Sequence, residues 1–183
     1  MSNCSHSRRF FLQSFCVGVA VTLAAARAAA MSPVRFFQQV ERIGMLCAVD
    51  AGPGAAPQAP EAARLCGLAA EELAALLGAG GPPVLALAVN DERLADPGLL
   101  AVLLHAHTRA ASEGEPGAGG SVTALAVSLY RSRVGGDAPP FFLAPPEAVV
   151  APAGTTPPEE AMRAALRRLL LSGVARPVLA HRR

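Results

Sequence analysis

His105-Ala106-His107 is the pair in this chain with metal-ligand spacing. On a β-strand, residues two apart project to the same face, so both imidazoles could reach one ion. A third ligand is missing from their immediate neighbours, and the carboxylates of Asp91, Glu92 or Asp96 in the preceding loop could complete a set. On a helix the two rings would stand about 200° apart and the site would vanish. The plain structural alternative is two solvent-facing histidines on an edge strand. Other chemistry finds less support. Glu71-Glu72, Asp91-Glu92 and Glu159-Glu160 are adjacent acidic pairs. The first and last fall on helical patterns, where they read as solvated faces or first-turn charges favoured by the helix dipole. No Gly-x-Ser-x-Gly elbow occurs, and Gly119-Gly120-Ser121 belongs to a hairpin loop. Gly78-Ala79-Gly80-Gly81 follows a helix and precedes a strand, whereas phosphate cradles sit at the strand-to-helix turn. Phe36-Phe37 and Phe141-Phe142 could form an exposed binding surface, but core packing is the commoner fate of such pairs.

The fate of the histidines rests on the block 99–109. Asp96-Pro97 ahead of it is a proper helix start, yet the run is short and apolar almost all round. Read as a strand, it pairs through the flexible loop 111–120 with 121–131 as a hairpin, and this is the reading we adopt. Upstream, 31–42 begins with Ser32-Pro33 and forms a short helix or an ordered lead-in. Residues 43–50 alternate as a strand with Ile43, Met45, Cys47 and Val49 on one face. A helix over 60–77 carries Ala62, Cys66, Ala69, Leu73 and Leu76 as its stripe. Pro83–Val89 reads as a buried strand, and Phe141–Ala144 with Glu147–Ala151 as a last strand bent by Pro145-Pro146. The C-terminal helix starts at an N-cap Thr156, with Pro157 first and Glu159 completing a capping box. Met162, Ala165, Leu166, Leu169 and Leu170 form its apolar stripe, Glu159 and Arg163 pair outside, and Gly173 ends it.

The order β-α-β-β-β-β-α predicts a single small α+β domain, a mixed or antiparallel sheet of about four to five strands with two main helices on one face. A ferredoxin-like β-α-β-β-α-β arrangement is the alternative. The element order is similar to that of small periplasmic domains of envelope-assembly accessory proteins. That similarity implies a fold more than a function.

The N-terminus carries a separate message. Ser7-Arg8-Arg9-Phe10-Phe11-Leu12-Gln13 leads into an apolar stretch from Phe10 to Ala26, diluted by Gly18 and Thr22. Ala26-Arg27-Ala28 and Ala28-Ala29-Ala30 then offer small-x-small cleavage sites. The heptad resembles the bacterial twin-arginine (Tat) signal, Ser/Thr-Arg-Arg-x-Phe-Leu-Lys, with Gln13 in place of the usual Lys. An N-terminal membrane anchor is the competing reading, but spanning needs roughly 20 predominantly apolar residues and Gln13-Ser14 interrupts this run. The resemblance implies that residues 1–30 are a cleaved signal, that the Tat translocase is a partner during export, and that 31–183 is a periplasmic domain. It also implies tolerance of Arg27 near the cleavage site.

Removal of that segment changes the charge balance. Of 16 basic residues, all Arg, three (Arg8, Arg9 and Arg27) lie in it, leaving 13 against 14 acidic residues and a formal charge of −1. Nucleic-acid binding, which needs clustered positive charge, loses its compositional support. The absence of Lys, beside abundant Ala, Gly and Pro, reads as codon bias. No transmembrane segment is expected in 31–183, whose apolar runs are all short. Cys4 and Cys16 leave with the signal, so Cys47 and Cys66 remain in an oxidising compartment, the number one disulfide needs. A strand followed by a helix packed on its inner face would bring their sulfurs together, while two buried free thiols are the alternative.

No motif names a cofactor or an activity. The expectation is a non-catalytic periplasmic binding or envelope-assembly accessory domain with an unidentified periplasmic protein partner. The alternatives are a metal- or cofactor-binding Tat substrate and a small periplasmic hydrolase.

Overall fold

The computed structural model describes residues 36–115, 118–132 and 144–181, all within one compact unit, Met31–Arg183. The signal motif from Ser7 to Leu12, and Phe141 and Phe142, lie outside the described residues. The architecture is the α+β arrangement read from the sequence. Strands β1 (Arg42–Ala51), β2 (Val84–Ala86), β3 (Leu99–Ala110), β4 (Ser121–Tyr130) and β5 (Glu147–Ala151) form one mixed sheet in the order β2-β1-β3-β4-β5. Helices α1 (Ala62–Leu77) and α2 (Glu159–Leu170) pack on one face. β1 runs parallel to β2 and β3, and β3-β4-β5 are antiparallel. The ambiguous block is therefore a strand, joined to β4 as a hairpin with Ala110 opposite Ser121.

Alternation builds the core. Ile43 and Met45 of β1, Leu100, Val102 and Leu104 of β3, and Leu125 and Leu129 of β4 point to the helical side and are buried. From the helices come Leu65, Ala69 and Leu73 of α1 and the whole expected stripe of α2, Met162, Ala165, Leu166, Leu169 and Leu170. Phe36 and Phe37 are core residues, 3% and 0% exposed and edge-to-face at 5.2 Å between centroids.

Four local expectations are corrected. In α1 the buried stripe is Leu65, Leu68, Ala69, Leu73 and Leu77, while Ala62 is exposed and Cys66 and Leu76 are half-buried. The stripe is thus turned so that three further leucines, Leu65, Leu68 and Leu77, reach the core beside Ala69 and Leu73, which removes more apolar area from water than burying Ala62 and Cys66 would. The run 83–89 yields only the three-residue β2, half-buried at the sheet edge, with Val89 left 76% exposed. Leu87 crosses to the other face of the sheet over Gly44, where any Cβ would fall 2.3 Å from Leu87 Cδ1. The α2 N-cap is Pro158 rather than Thr156, with no capping box. Pro157 precedes a proline and is therefore driven out of the helical region, so the helix begins only after the second proline. Finally, Gly173 does not end the chain's last helix. A π-helical segment, Leu171–Ala175, continues into α3 (Arg176–His181), with Val174, Ala175 and Val178 fully buried. Pro177 sits inside that continuation, where its ring would clash with the carbonyl four residues back. The wider π turn just before it relieves the clash. Gly173 lets the backbone close on Ala144, whose Cβ would lie 3.3 Å from an added Cβ.

Cys47 of β1 and Cys66 of α1 are joined by a disulfide with Cα atoms 5.7 Å apart. The bond ties the helix to the strand it covers. With 19 residues of separation, the chain-entropy model assigns such a link about 3 kcal/mol. The Cys47→Ala/Cys66→Ala double variant should lose about that much in urea denaturation. Mass spectrometry of the unreduced wild type should find it two hydrogens lighter than its reduced form. Two freely alkylated thiols, or a double variant as stable as the parent, would refute this.

Ion pairs stitch the outer surfaces of the helices. Arg163 of α2 meets Glu71 (2.9 Å), Glu72 (3.2 Å) and Glu159 (3.1 Å), and Arg167 reaches Glu72 at 3.5 Å. The adjacent acids of α1 are thus cross-helix partners of arginine. Hydrogen bonds from Arg64 and then Arg163 lower the Glu159 pKa. Among the described residues, no helix is long and apolar enough to cross a membrane.

Candidate functional site

The second face of the sheet has no helix upon it among the described residues. At one end the β2–β3 connection folds over it: Leu87 and Leu94 pack with Leu46, Leu99, Ala101, Leu103 and Tyr130 in a small separate cluster. A 3-10 turn, Glu92–Ala95, holds Leu94 there. Asp91 caps the turn by accepting from the Arg93 backbone and side chain. These bonds, the side-chain one foremost, hold the Asp91 carboxyl well below the usual carboxylate range. Toward the other end the cluster gives out, and Ala48 and Asp50 of β1, His105 and His107 of β3, Ala124 of β4 and Ala148 of β5 are exposed.

His105 and His107 share this face because β3 is a strand. Register sets Ala48 beside His105 and Asp50 beside His107 on one side, and Ala126 and Ala124 opposite them on the other. Neither histidine is crowded, since all four neighbours in register are alanine or aspartate. His107 Nδ1 lies 3.2 Å from Asp50 Oδ2, and His105 Nε2 lies 3.3 Å from Ser128 Oγ. An ionised carboxylate only accepts, so His107 donates to it from Nδ1, which in the neutral ring leaves the lone pair on Nε2.

The carboxylates considered from sequence do not join the pair. Asp96 instead pairs with Arg42 and accepts from the Gly98 backbone, and Asp91 is committed to Arg93. Among the described residues, no group of three or more His, Cys, Asp or Glu is placed to hold a metal ion. Asp50 and Ser128 were missed in the sequence reading. Asp50 is 57 residues from its imidazole, and only the parity of β1, with Asp50 opposite in phase to Ile43-Met45-Cys47-Val49, pointed to its face.

Beyond the histidines the same strand brings Arg109, which holds Glu115 through two bonds of 2.7 and 2.8 Å. The Arg109 bond, foremost among the causes, lowers the Glu115 pKa to about 2. A different opening, of about 400 Å³, lies between the N-terminal ends of α1 and α2. Leu65, Leu68 and Met162 line it, and the Arg64–Glu159 ion pair crosses its mouth. The acid and the base there pair with each other, and Glu61 and Thr156 also line the opening.

No protein-family model matches the chain, and no curated protein does. Among solved structures it is similar to two crystal forms of the PelC dodecamer from Paraburkholderia phytofirmans. One, carrying a single substitution, has a TM-score of 0.42 and 11% identity over 73% of this chain and 89% of that one. The other has a TM-score of 0.42 and 10% identity over 80% of this chain and 91% of that one. Superposition this loose leaves the function of the chain to be argued from its own residues.

Proposed function

We propose that the chain is an exported, non-catalytic accessory domain of the bacterial envelope that works by binding a protein partner through the open face of its sheet. The Cys47–Cys66 bond carries the first half of this reading, because disulfides form and persist in oxidising compartments. It also uses both cysteines that remain after a signal over residues 1–30. The twin-arginine pattern at Ser7, Arg8, Arg9, Phe10, Phe11 and Leu12 supports the same route, with the Tat translocase as the export partner. The second half rests on the face itself. Ala48, Ala124 and Ala148 are exposed beside His105 and His107, a low surface of small side chains that offers contact area instead of an enclosing cavity. Enclosure is what small ligands require, whereas protein partners are bound over broad faces.

Export and docking are tested together. Replacing Arg8 and Arg9 by Lys should leave unprocessed precursor in the cytoplasm, because a receptor that reads the guanidinium pair does not accept an ammonium in its place. In cells exporting the wild type, a photo-crosslinking residue at Ala124 or Ala148 should trap a specific partner, and one at Arg167 on the helical side should not. Normal maturation of the double-lysine variant would overturn the export route. Trapping at Arg167 with none at Ala124 or Ala148 would overturn the docking face.

A further inference from the structure

We propose that His105 and His107 bind one divalent transition-metal ion, zinc being the ion of choice, with Asp50 orienting one of them. Two imidazoles on one face of a strand, two residues apart, can turn their ring nitrogens toward a common point outside the sheet. A zinc ion needs them at about 2.0–2.1 Å. Both histidines are exposed, and apart from Asp50 the residues beside and opposite them in register are the small Ala48, Ala124 and Ala126. What distinguishes the pair from two surface histidines is the Asp50 contact. A carboxylate on Nδ1 fixes the tautomer that presents Nε2 to a metal and makes that nitrogen more basic, the arrangement that supports histidine ligands in metal sites. Ser128, 2% exposed beneath His105, can accept its Nε2 proton and leave Nδ1 as the second donor. Imidazole donors suit zinc, copper and nickel, and disfavour magnesium and calcium, which take oxygen ligands. Two protein ligands leave the remaining positions of a tetrahedral ion to water, so the ion stands open to solvent.

The probe is Zn²⁺ alone, titrated against a chromophoric chelator into the full chain carrying Cys4→Ser, Cys16→Ser and His6→Ala, which removes competing donors in the leader. One equivalent should bind, and His105→Ala or His107→Ala should each weaken it about tenfold or more, while His181→Ala leaves it unchanged. Asp50→Asn should weaken binding about tenfold, the lower end for a supporting carboxylate because this one is exposed. Imidazole nitrogen resonances should shift together for His105 and His107 in the same titration, a readout indifferent to loss of stability. Histidine variants that bind as the parent does, or loss of binding in His181→Ala alone, would overturn the site. An Asp50→Asn chain with parental affinity would overturn the orienting role.

Discussion

Alanine in place of Leu166 or Leu169 should remove about 2–5 kcal/mol of stability, whereas alanine in place of Arg167 or Arg168 should change it by no more than about 0.5 kcal/mol. The four positions are consecutive on one helix, so helix length and position are shared and the side chains differ chiefly in which way they face. Leu166 is 0% and Leu169 1% exposed, both in the core between α2 and the sheet. Truncation there loses the transfer free energy of the removed carbons and leaves a cavity that the sheet cannot fill. The arginines stand 61% and 59% exposed, on Glu72 and Glu147 respectively. Ion pairs so open to water contribute little, and Glu72 retains Arg163 when Arg167 is gone. Urea denaturation of the four single variants gives the comparison directly. Arginine losses as large as the leucine losses would mean that α2 presents a different face to the sheet.

Arg131 is the second position where a single change should cost heavily, about 3 kcal/mol or more for Arg131→Met. It lies just past β4 and is 8% exposed, yet its guanidinium is spent on main-chain oxygens. It donates to the carbonyls of Pro97 (2.8 Å), Phe36 (2.8 Å), Gln38 (2.5 Å) and Gln39 (3.0 Å). Burial lowers its pKa, with Asp96 and Glu41 acting the other way. Methionine keeps much of the aliphatic reach and removes every donor, so the loss reads the hydrogen bonds instead of the packing. Three of the carbonyls left behind belong to the turn at 36–39, where Gln39 holds φ 58, a left-handed conformation uncommon outside glycine. We expect that turn to loosen first: hydrogen exchange at residues 38–41 should rise more than in the Leu166→Ala chain at matched stability. An Arg131→Met chain as stable as the parent, with unchanged exchange there, would show that the clamp is dispensable.

How much of this was legible beforehand follows from what periodicity can carry. The inward faces of β1 and α2 were readable residue by residue, because alternation by two and by three to four is a property of neighbouring residues and survives into the fold. The pairing of Cys47 with Cys66 was anticipated from a strand followed by a helix packed on its inner face, although Cys66 lies beside the buried stripe of α1 and not on it. The block around His105 was legible only in part: its shortness and the loop after it favoured the strand hairpin over a helix, and its partners β1 and β4 on either side decided it. Gly173 looked like a stop because glycine usually is one, but buried Val174 and Val178 carried the helix past it. Nothing in Tyr130-Arg131-Ser132 sets that arginine apart from the chain's others. Its role depends on carbonyls more than 30 residues away in sequence, brought together only when the turn at 36–39 and the loop at Pro97 close over the end of β4. The same holds for Asp50 and His107. The sequence by itself determined the α+β class and the inward faces of β1 and α2. The tertiary structure decided which polar groups meet, because hydrogen bonds are short and directional while the pattern that folds the chain is local and apolar.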